Sequence, residues 1–335
     1  MENKKTRYDW IDVLKAFSIF FIIFSHLGSN PLSVYFFTFM VNVFFFASGL
    51  TVGYSKTKTL KQFVQRRFKR LMVPYFAFSV LAMVTVTVFD GNVSIKDMAV
   101  QMLYGCRTNT FAVTLWFLPC LFVMGIFYHI LSQYVKDKRV RFVLCVVASF
   151  AFRMVSDGNI LPWGIDNAVR FGVYYAAGDL LAGFLNGVAA HPKGLLSRKW
   201  LVAVLAVTAL VAYFQYGHGT AFILDRFGLG QLRIAVVLTG AAFCFSNIAL
   251  WSLVSIALQN LKPFAKLGTT SLAICCLEVP VNRVVLSAVN LVGIQLDLRG
   301  NGTVLVLAAV LVFAAYRAAQ MIQQYLPVLL GADKK

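Results

Sequence analysis

The chain has 335 residues, of which 59% are hydrophobic and only 13% are charged, and its mean hydropathy is +0.75. Soluble domains carry roughly 25% charged residues, so this composition excludes an ordinary soluble globular protein. The net charge of +18 would suit nucleic-acid binding, but the basic residues cluster between long apolar runs. That arrangement indicates membrane topology, and we predict no nucleic-acid partner.

Apolar runs recur along the chain, and each is long enough to cross roughly 30 Å of hydrocarbon as a helix. They lack the alternation in ten-residue segments that is typical of membrane barrels. We therefore predict an all-α polytopic bundle of about ten transmembrane helices, forming a single membrane-embedded domain over residues 1–335 with no soluble domain. The predicted spans are Ile11–Leu27, Leu32–Gly53, Leu71–Phe89, Thr114–Ser132, Val140–Val155, Ala168–Gly187, Trp200–Tyr216, Leu232–Leu250, Leu267–Val289 and Thr303–Tyr325.

Charge is distributed unequally between the two sides of these spans. If the N-terminus is cytoplasmic, the inner segments hold 21 of the 31 basic residues. The opposite loops are nearly neutral, because their aspartates offset a few basic residues: Lys96, Arg107, Arg153, Arg170, Arg226, Arg233 and Arg299. The positive-inside rule therefore predicts that both termini are cytoplasmic.

The first predicted helix carries Asp12, Lys15 and His26. At 100° per residue, Lys15 and His26 are separated by three turns plus about 20°, and Asp12 lies within about 60° of both, so the three share one face. Because an ionisable residue inside the bilayer is costly, each of them is a functional-site hypothesis. The alternative is that Asp12 and Lys15 are interfacial and that His26 is a structural histidine near the outer interface.

A basic cluster, QRRFKRLMVPY, precedes the third span on the predicted cytoplasmic side. Arg67 and Arg70 are three residues apart, which places them on one face of an α-helix. Guanidinium groups bind phosphates bidentately, so the pair could hold a cytoplasmic donor that carries several phosphates. The alternative is a role in topogenesis or in contact with anionic lipids.

Four other polar residues lie within predicted spans: Asn42, Asp179, Asn247 and Glu278. Glu278 lies at a depth similar to that of His26, so this acid and the histidine could meet in the bundle. Alternatively, Glu278 pairs with Arg283 or Asn282 and holds helices together. The six cysteines fit neither a disulfide framework nor a zinc site, and we predict no metal.

These residues resemble those of membrane-bound acyltransferase family 3, which includes bacterial O-acetyltransferases of cell-surface glycans, over nearly the whole chain. WIDVLKAFSIFFIIFSH is similar to the first helix of the family, where a basic residue, usually arginine, precedes a histidine by eleven positions. Lys15 and His26 occupy those positions here. VFFFASG, RRFKRLMVPY, LWFLPCLFV and LGTTSLAICCLEVPV resemble further motifs of the family. In the last motif a histidine is common where this chain has Glu278.

The resemblance implies an enzyme of the bacterial cell membrane. It would transfer an acyl group, most often acetyl, from cytoplasmic acyl-CoA to a hydroxyl of an extracytoplasmic saccharide. His26 would act as the base or carry the acyl group covalently, and Glu278 would orient it or share its proton. Asp12 and Lys15 are expected to line a polar path for the acyl arm. Arg67 and Arg70 are expected to bind the donor phosphates, and Trp116 and Asn42 are expected to contact the sugar.

Two other functional classes are open at the level of sequence. Buried Asp, Glu, Lys and His also describe a proton-coupled transporter or a lipid-linked sugar flippase, although no internal repeat is visible. A noncatalytic scaffold or sensor is the third interpretation. This third interpretation predicts that a His26 substitution leaves the phenotype intact.

Overall fold

The fold is seen in a computed structural model of the chain. It describes residues 8–54, 59–91, 93–109, 111–156, 158, 160–192, 203–208, 210 and 233–331. The structure is 84% helical and these residues contain no strand, which confirms the all-α prediction. The α-helices used below are α1 Asp9–Leu27, α2 Pro31–Leu50, α3 Leu60–Arg67, α4 Val73–Asp90, α5 Ile95–Tyr104, α6 Phe117–Tyr134, α7 Lys138–Val155, α8 Ile165–Ala190, α9 Arg233–Ala257, α10 Lys262–Thr269, α11 Ser271–Leu291 and α12 Asn301–Tyr325.

Seven segments are long and apolar enough to cross a membrane: Asp9–Leu27, Pro31–Leu50, Leu60–Asp90, Phe117–Tyr134, Val237–Ala257, Ser271–Leu291 and Asn301–Tyr325. The predicted fifth and sixth spans form α7 and α8, which carry several charged residues and are not among the seven. Only residues 203–208 and 210 of the predicted seventh span are described. The chain is thus a multi-helix membrane protein, while the count of ten and the side of each terminus stay predictions.

Two predicted spans differ in form from the helices observed. The third begins earlier than Leu71, because a π-helical turn at Phe68–Met72 joins α3 to α4. The ninth is broken at Thr270, which separates the short helix α10 from α11. Helix α5 was not predicted, since its ten residues are too few to cross the bilayer.

Helix α1 lies at the centre of the bundle. It contacts α2, α9, α10, α11 and α12, and thirteen of its nineteen residues are buried. A helix that is surrounded by protein can carry polar side chains away from lipid. This position explains how the sequence can place ionisable residues on its first span.

Helices α2 and α8 approach each other backbone to backbone. A Cβ on Gly49 would overlap the carbonyl of Tyr175, and a Cβ on Gly178 would overlap that of Phe46. Small residues allow this close packing between membrane helices, where apolar burial gives little driving force. The contact fixes α8, and with it the residues of its N-terminal half, relative to α2.

Asp179 belongs to a buried ionic cluster that joins α6, α7 and α8. It pairs with Arg141 (Oδ2 to Nη2, 2.7 Å) and with Lys138 (Oδ1 to Nζ, 2.8 Å). The hydroxyl of Tyr128 donates to the same carboxylate over 2.8 Å. The carboxylate thus has three donors, which offsets the cost of removing it from water. We assign Asp179 a structural role.

Candidate active site

His26 and Glu278 meet, as their predicted depths suggested. The Nδ1 atom of His26 lies 2.6 Å from Oε1 of Glu278, and the two side chains are 21% and 4% exposed. Arg283 pairs instead with Asp90, at 2.8 Å, so the alternative pairing of Glu278 with Arg283 is wrong. A carboxylate on Nδ1 favours the tautomer whose Nε2 is free to accept a proton. The pair therefore has the geometry of a base with an orienting acid.

His26 forms part of the wall of a cavity of about 1020 Å³. The walls come from α1, α2, α7, α8, α9, α11 and the start of α6. Ser25 and Thr114 add hydroxyl groups, while Phe37 and Phe117 are among many apolar wall residues. A largely apolar cavity with a few convergent polar groups is the usual form of a small-molecule site.

The two predicted sugar-contacting residues, Asn42 and Trp116, both line this cavity. Asn42 is buried and donates from Nδ2 to Sγ of Cys244 over 3.0 Å. Trp116 immediately precedes α6, and its neighbour Thr114 donates to the carbonyl of Cys275 over 3.2 Å. That bond ties the segment before α6 to α11, the helix that carries Glu278. The structure therefore gathers Asn42, Trp116 and His26 around one space.

Asp12 and Lys15 lie elsewhere. Lys15 Nζ is 3.8 Å from Asp12 Oδ1, and neither residue is among those that line the cavity. Helix α10 packs closely on the first turns of α1, since a Cβ on Gly268 would overlap the backbone of Asp12. Asp12 and His26 are about 21 Å apart along the helix at 1.5 Å per residue. The predicted polar path for the acyl arm stays a prediction.

Arg67 and Arg70 face different neighbours. Arg67 donates to the carbonyl of Leu121 over 3.0 Å and to the hydroxyl of Tyr175 over 2.8 Å, so its guanidinium lies between α6 and α8. Arg70 is exposed. A π-turn makes i→i+5 bonds, so the three-residue spacing of an α-helical face does not hold between them. The two guanidinium groups therefore have different surroundings, and the predicted phosphate contact stays a prediction.

Three arginines that were predicted only as charges of the outer loops also line the cavity: Arg107, Arg153 and Arg170. They come from the segment after α5, the last turn of α7 and the second turn of α8. Their chain positions are far apart, and only the fold brings them together. The signal that could have found them is the rule applied to α1, that an ionisable residue inside or beside an apolar span is a functional candidate.

The family model of the acyltransferase domain of acyltransferase family 3 matches residues 8–316. The match covers nearly the whole chain and includes both His26 and Glu278. The protein is thus a membrane acyltransferase by its domain, and it belongs to acyltransferase family 3. No curated protein and no solved structure matches the chain.

Proposed function

We propose that the protein transfers an acyl group, acetyl in the simplest case, from cytoplasmic acyl-CoA to a hydroxyl of an extracytoplasmic saccharide, with His26 as general base. The observation that carries this proposal is the 2.6 Å contact between His26 and Glu278 at the wall of a large cavity. A buried His–Glu pair also suits a proton-coupled transporter, and the acyltransferase domain favours the enzyme.

In the proposed reaction, Nε2 of His26 removes the proton of the acceptor hydroxyl as its oxygen attacks the thioester carbonyl carbon. A C–O bond forms, the C–S bond breaks, and the imidazolium returns the proton to the departing CoA thiolate. The products are the O-acyl saccharide and CoA-SH, so atoms and charge balance. General-base assistance of this kind contributes about 10²- to 10⁴-fold in rate. Glu278 stabilises the imidazolium that forms.

Donor binding is proposed at the basic segment between α3 and α4. Arg70, which is exposed, presents its guanidinium to the phosphates of CoA from the predicted cytoplasmic side. Arg67 holds the segment against α6 and α8 through its two hydrogen bonds and adds positive potential. This division of roles follows from the different surroundings of the two arginines.

The test is to compare surface polysaccharide and peptidoglycan by mass spectrometry from cells that lack the gene and cells that express it. The proposal predicts a mass increase of one acyl group that depends on the gene. His26→Ala should abolish the increase, whereas His191→Ala, at the exposed end of α8, should retain it.

Membrane abundance of each variant must be measured in the same cells, because a misfolded variant would also lose the product. An acylated glycan in well-expressed His26→Ala cells would refute His26 as the base. Solute movement in liposomes without CoA release would favour the transporter.

A further inference from the structure

The cavity that contains His26 is electropositive. Arg107, Arg153 and Arg170 line it, and none of the described residues lining it is an Asp or a Glu. Guanidinium groups beside apolar helices are costly unless an anion accompanies them. Membrane anchoring alone does not account for these arginines, since the basic residues predicted to anchor α7 lie at its opposite end.

Two of the arginines are held in place by the packing of α7 on α8. Arg170 donates from Nη2 to Oγ of Ser156 over 3.2 Å and lies over the ring of Phe152 at 5.5 Å. Arg153 donates to the carbonyl of Arg170 over 3.4 Å, and Ser149 donates to the same carbonyl over 2.8 Å. These bonds orient the cations without neutralising Arg153, which has no carboxylate partner among the described residues.

A buried hydrogen-bond acceptor accompanies the cations. Asn167 is 2% exposed, lines the cavity, and has no hydrogen-bond partner for Oδ1 in the described part of the chain. It precedes Arg170 by three residues on α8, so the two share a helix face. A buried polar atom without a partner is destabilising, and a ligand hydroxyl would supply the missing donor.

We propose that this cavity binds an acceptor sugar that carries an oxyanion, a carboxylate or a phosphate, close to the hydroxyl that is acylated. Arg153 and Arg170 hold the oxyanion, Arg107 adds charge from the more exposed loop, and Asn167 accepts from a neighbouring hydroxyl. Guanidinium groups match both anions, because their paired N–H groups fit two oxygens at once. The inference rests on the proposed function and narrows its acceptor to acidic glycans.

The first experiment identifies the acylated residue in the native host. Glycans from cells with and without the gene are fragmented, and the acyl group is located by tandem mass spectrometry. Acylation on or next to a uronic acid or a phosphorylated sugar supports the proposal. Acylation within a neutral segment overturns it while the proposed function stands. If no glycan gains an acyl group, the proposed function itself fails.

The second experiment uses the glycan so identified, with purified protein in nanodiscs and CoA release as the rate. Removing the anion by carboxyl reduction or by phosphatase should lower kcat/KM about 10- to 150-fold, since each charged hydrogen bond contributes about 1.5–3 kcal/mol. If carboxyl reduction has this effect, the anion is a carboxylate, and if phosphatase has it, the anion is a phosphate. Equal rates before and after treatment would overturn the proposal.

The variant Arg153→Gln should raise KM for the acidic acceptor about tenfold or more, and it should change the rate with the anion-free acceptor by a much smaller factor. Arg139→Gln, at the other end of α7, should change neither rate. Arg153→Lys retains the charge and should recover part of the loss, which guards against a folding defect. The variant Arg153→Gln is also assayed with succinyl-CoA in place of acetyl-CoA. If its loss of activity depends on the succinyl donor and not on the acceptor, the arginines bind the acyl group and the proposal is overturned.

Discussion

Glu278 offers the sharpest test of the proposed chemistry. Its Oε1 lies 2.6 Å from Nδ1 of His26 and its side chain is 4% exposed, so the carboxylate acts on the imidazole with little screening by water. Glu278→Gln keeps the volume and an oxygen that can accept from Nδ1–H, but it removes the negative charge. A hydrogen bond to a charged partner contributes about 1.5–3 kcal/mol, so kcat should fall about 10- to 150-fold.

The assay is CoA release by purified protein in nanodiscs, with the glycan in its unacylated form as the acceptor. The KM for acetyl-CoA should stay constant, because Glu278 acts at the histidine and not at the proposed donor site. Glu278→Ala should lose more activity than Glu278→Gln, since it also removes the acceptor that fixes the tautomer.

The matched control is Arg283→Gln, on the same helix. Arg283 pairs with Asp90 and lies outside the proposed chemistry, so this variant tests the effect of breaking an ion pair of α11 without touching His26. Its kcat should be unchanged. If Glu278→Gln retained full kcat, or if Arg283→Gln lost as much, the orienting role of Glu278 would be refuted and its contact with His26 would be packing.

Three further predictions concern the donor and the fold. Arg70→Ala should raise KM for acetyl-CoA about tenfold with kcat unchanged, measured by CoA release; an unchanged KM would place the phosphates elsewhere. Gly178→Leu should reduce the folded fraction in fluorescence-detected size exclusion, because the α2–α8 contact cannot accept a side chain. The control Gly183→Leu should not reduce it, because a Cβ at Gly183 would meet nothing within 4 Å. Asp179→Ala should lower the free energy of unfolding by about 3–5 kcal/mol, seen as a lower thermal midpoint, because it leaves the buried Arg141 without its carboxylate.

The helical character of the chain and much of the candidate site could be predicted from sequence, for a simple reason. A membrane helix rises by a fixed distance per residue, so counting from a predicted interface gives the depth of a side chain. That count places His26 and Glu278 at similar levels. Their hydrogen bond shows that depth is informative even between helices far apart in the chain.

Other features depend on tertiary packing and could not be predicted by counting. The π-turn at Phe68–Met72 changes which way Arg70 faces, and nothing in its local sequence marks an extra residue per turn. The three cavity arginines looked like loop charges because depth says nothing about the direction in which a helix faces. Helix α5 was missed for a different reason, although Ser94, three residues before Asp97, is a helix-start signal that could have indicated it.

The pairing of His26 with Glu278 also bears on how the enzyme is made. The two residues are 252 positions apart, which corresponds to about 10 to 50 s of synthesis at typical rates of elongation. Through that interval the first helix is present without its acid partner. A ribosome-bound or truncated chain that ends before α11 therefore has the proposed base, His26, but lacks the acid that orients it, and the pair is complete only when α11 joins the bundle.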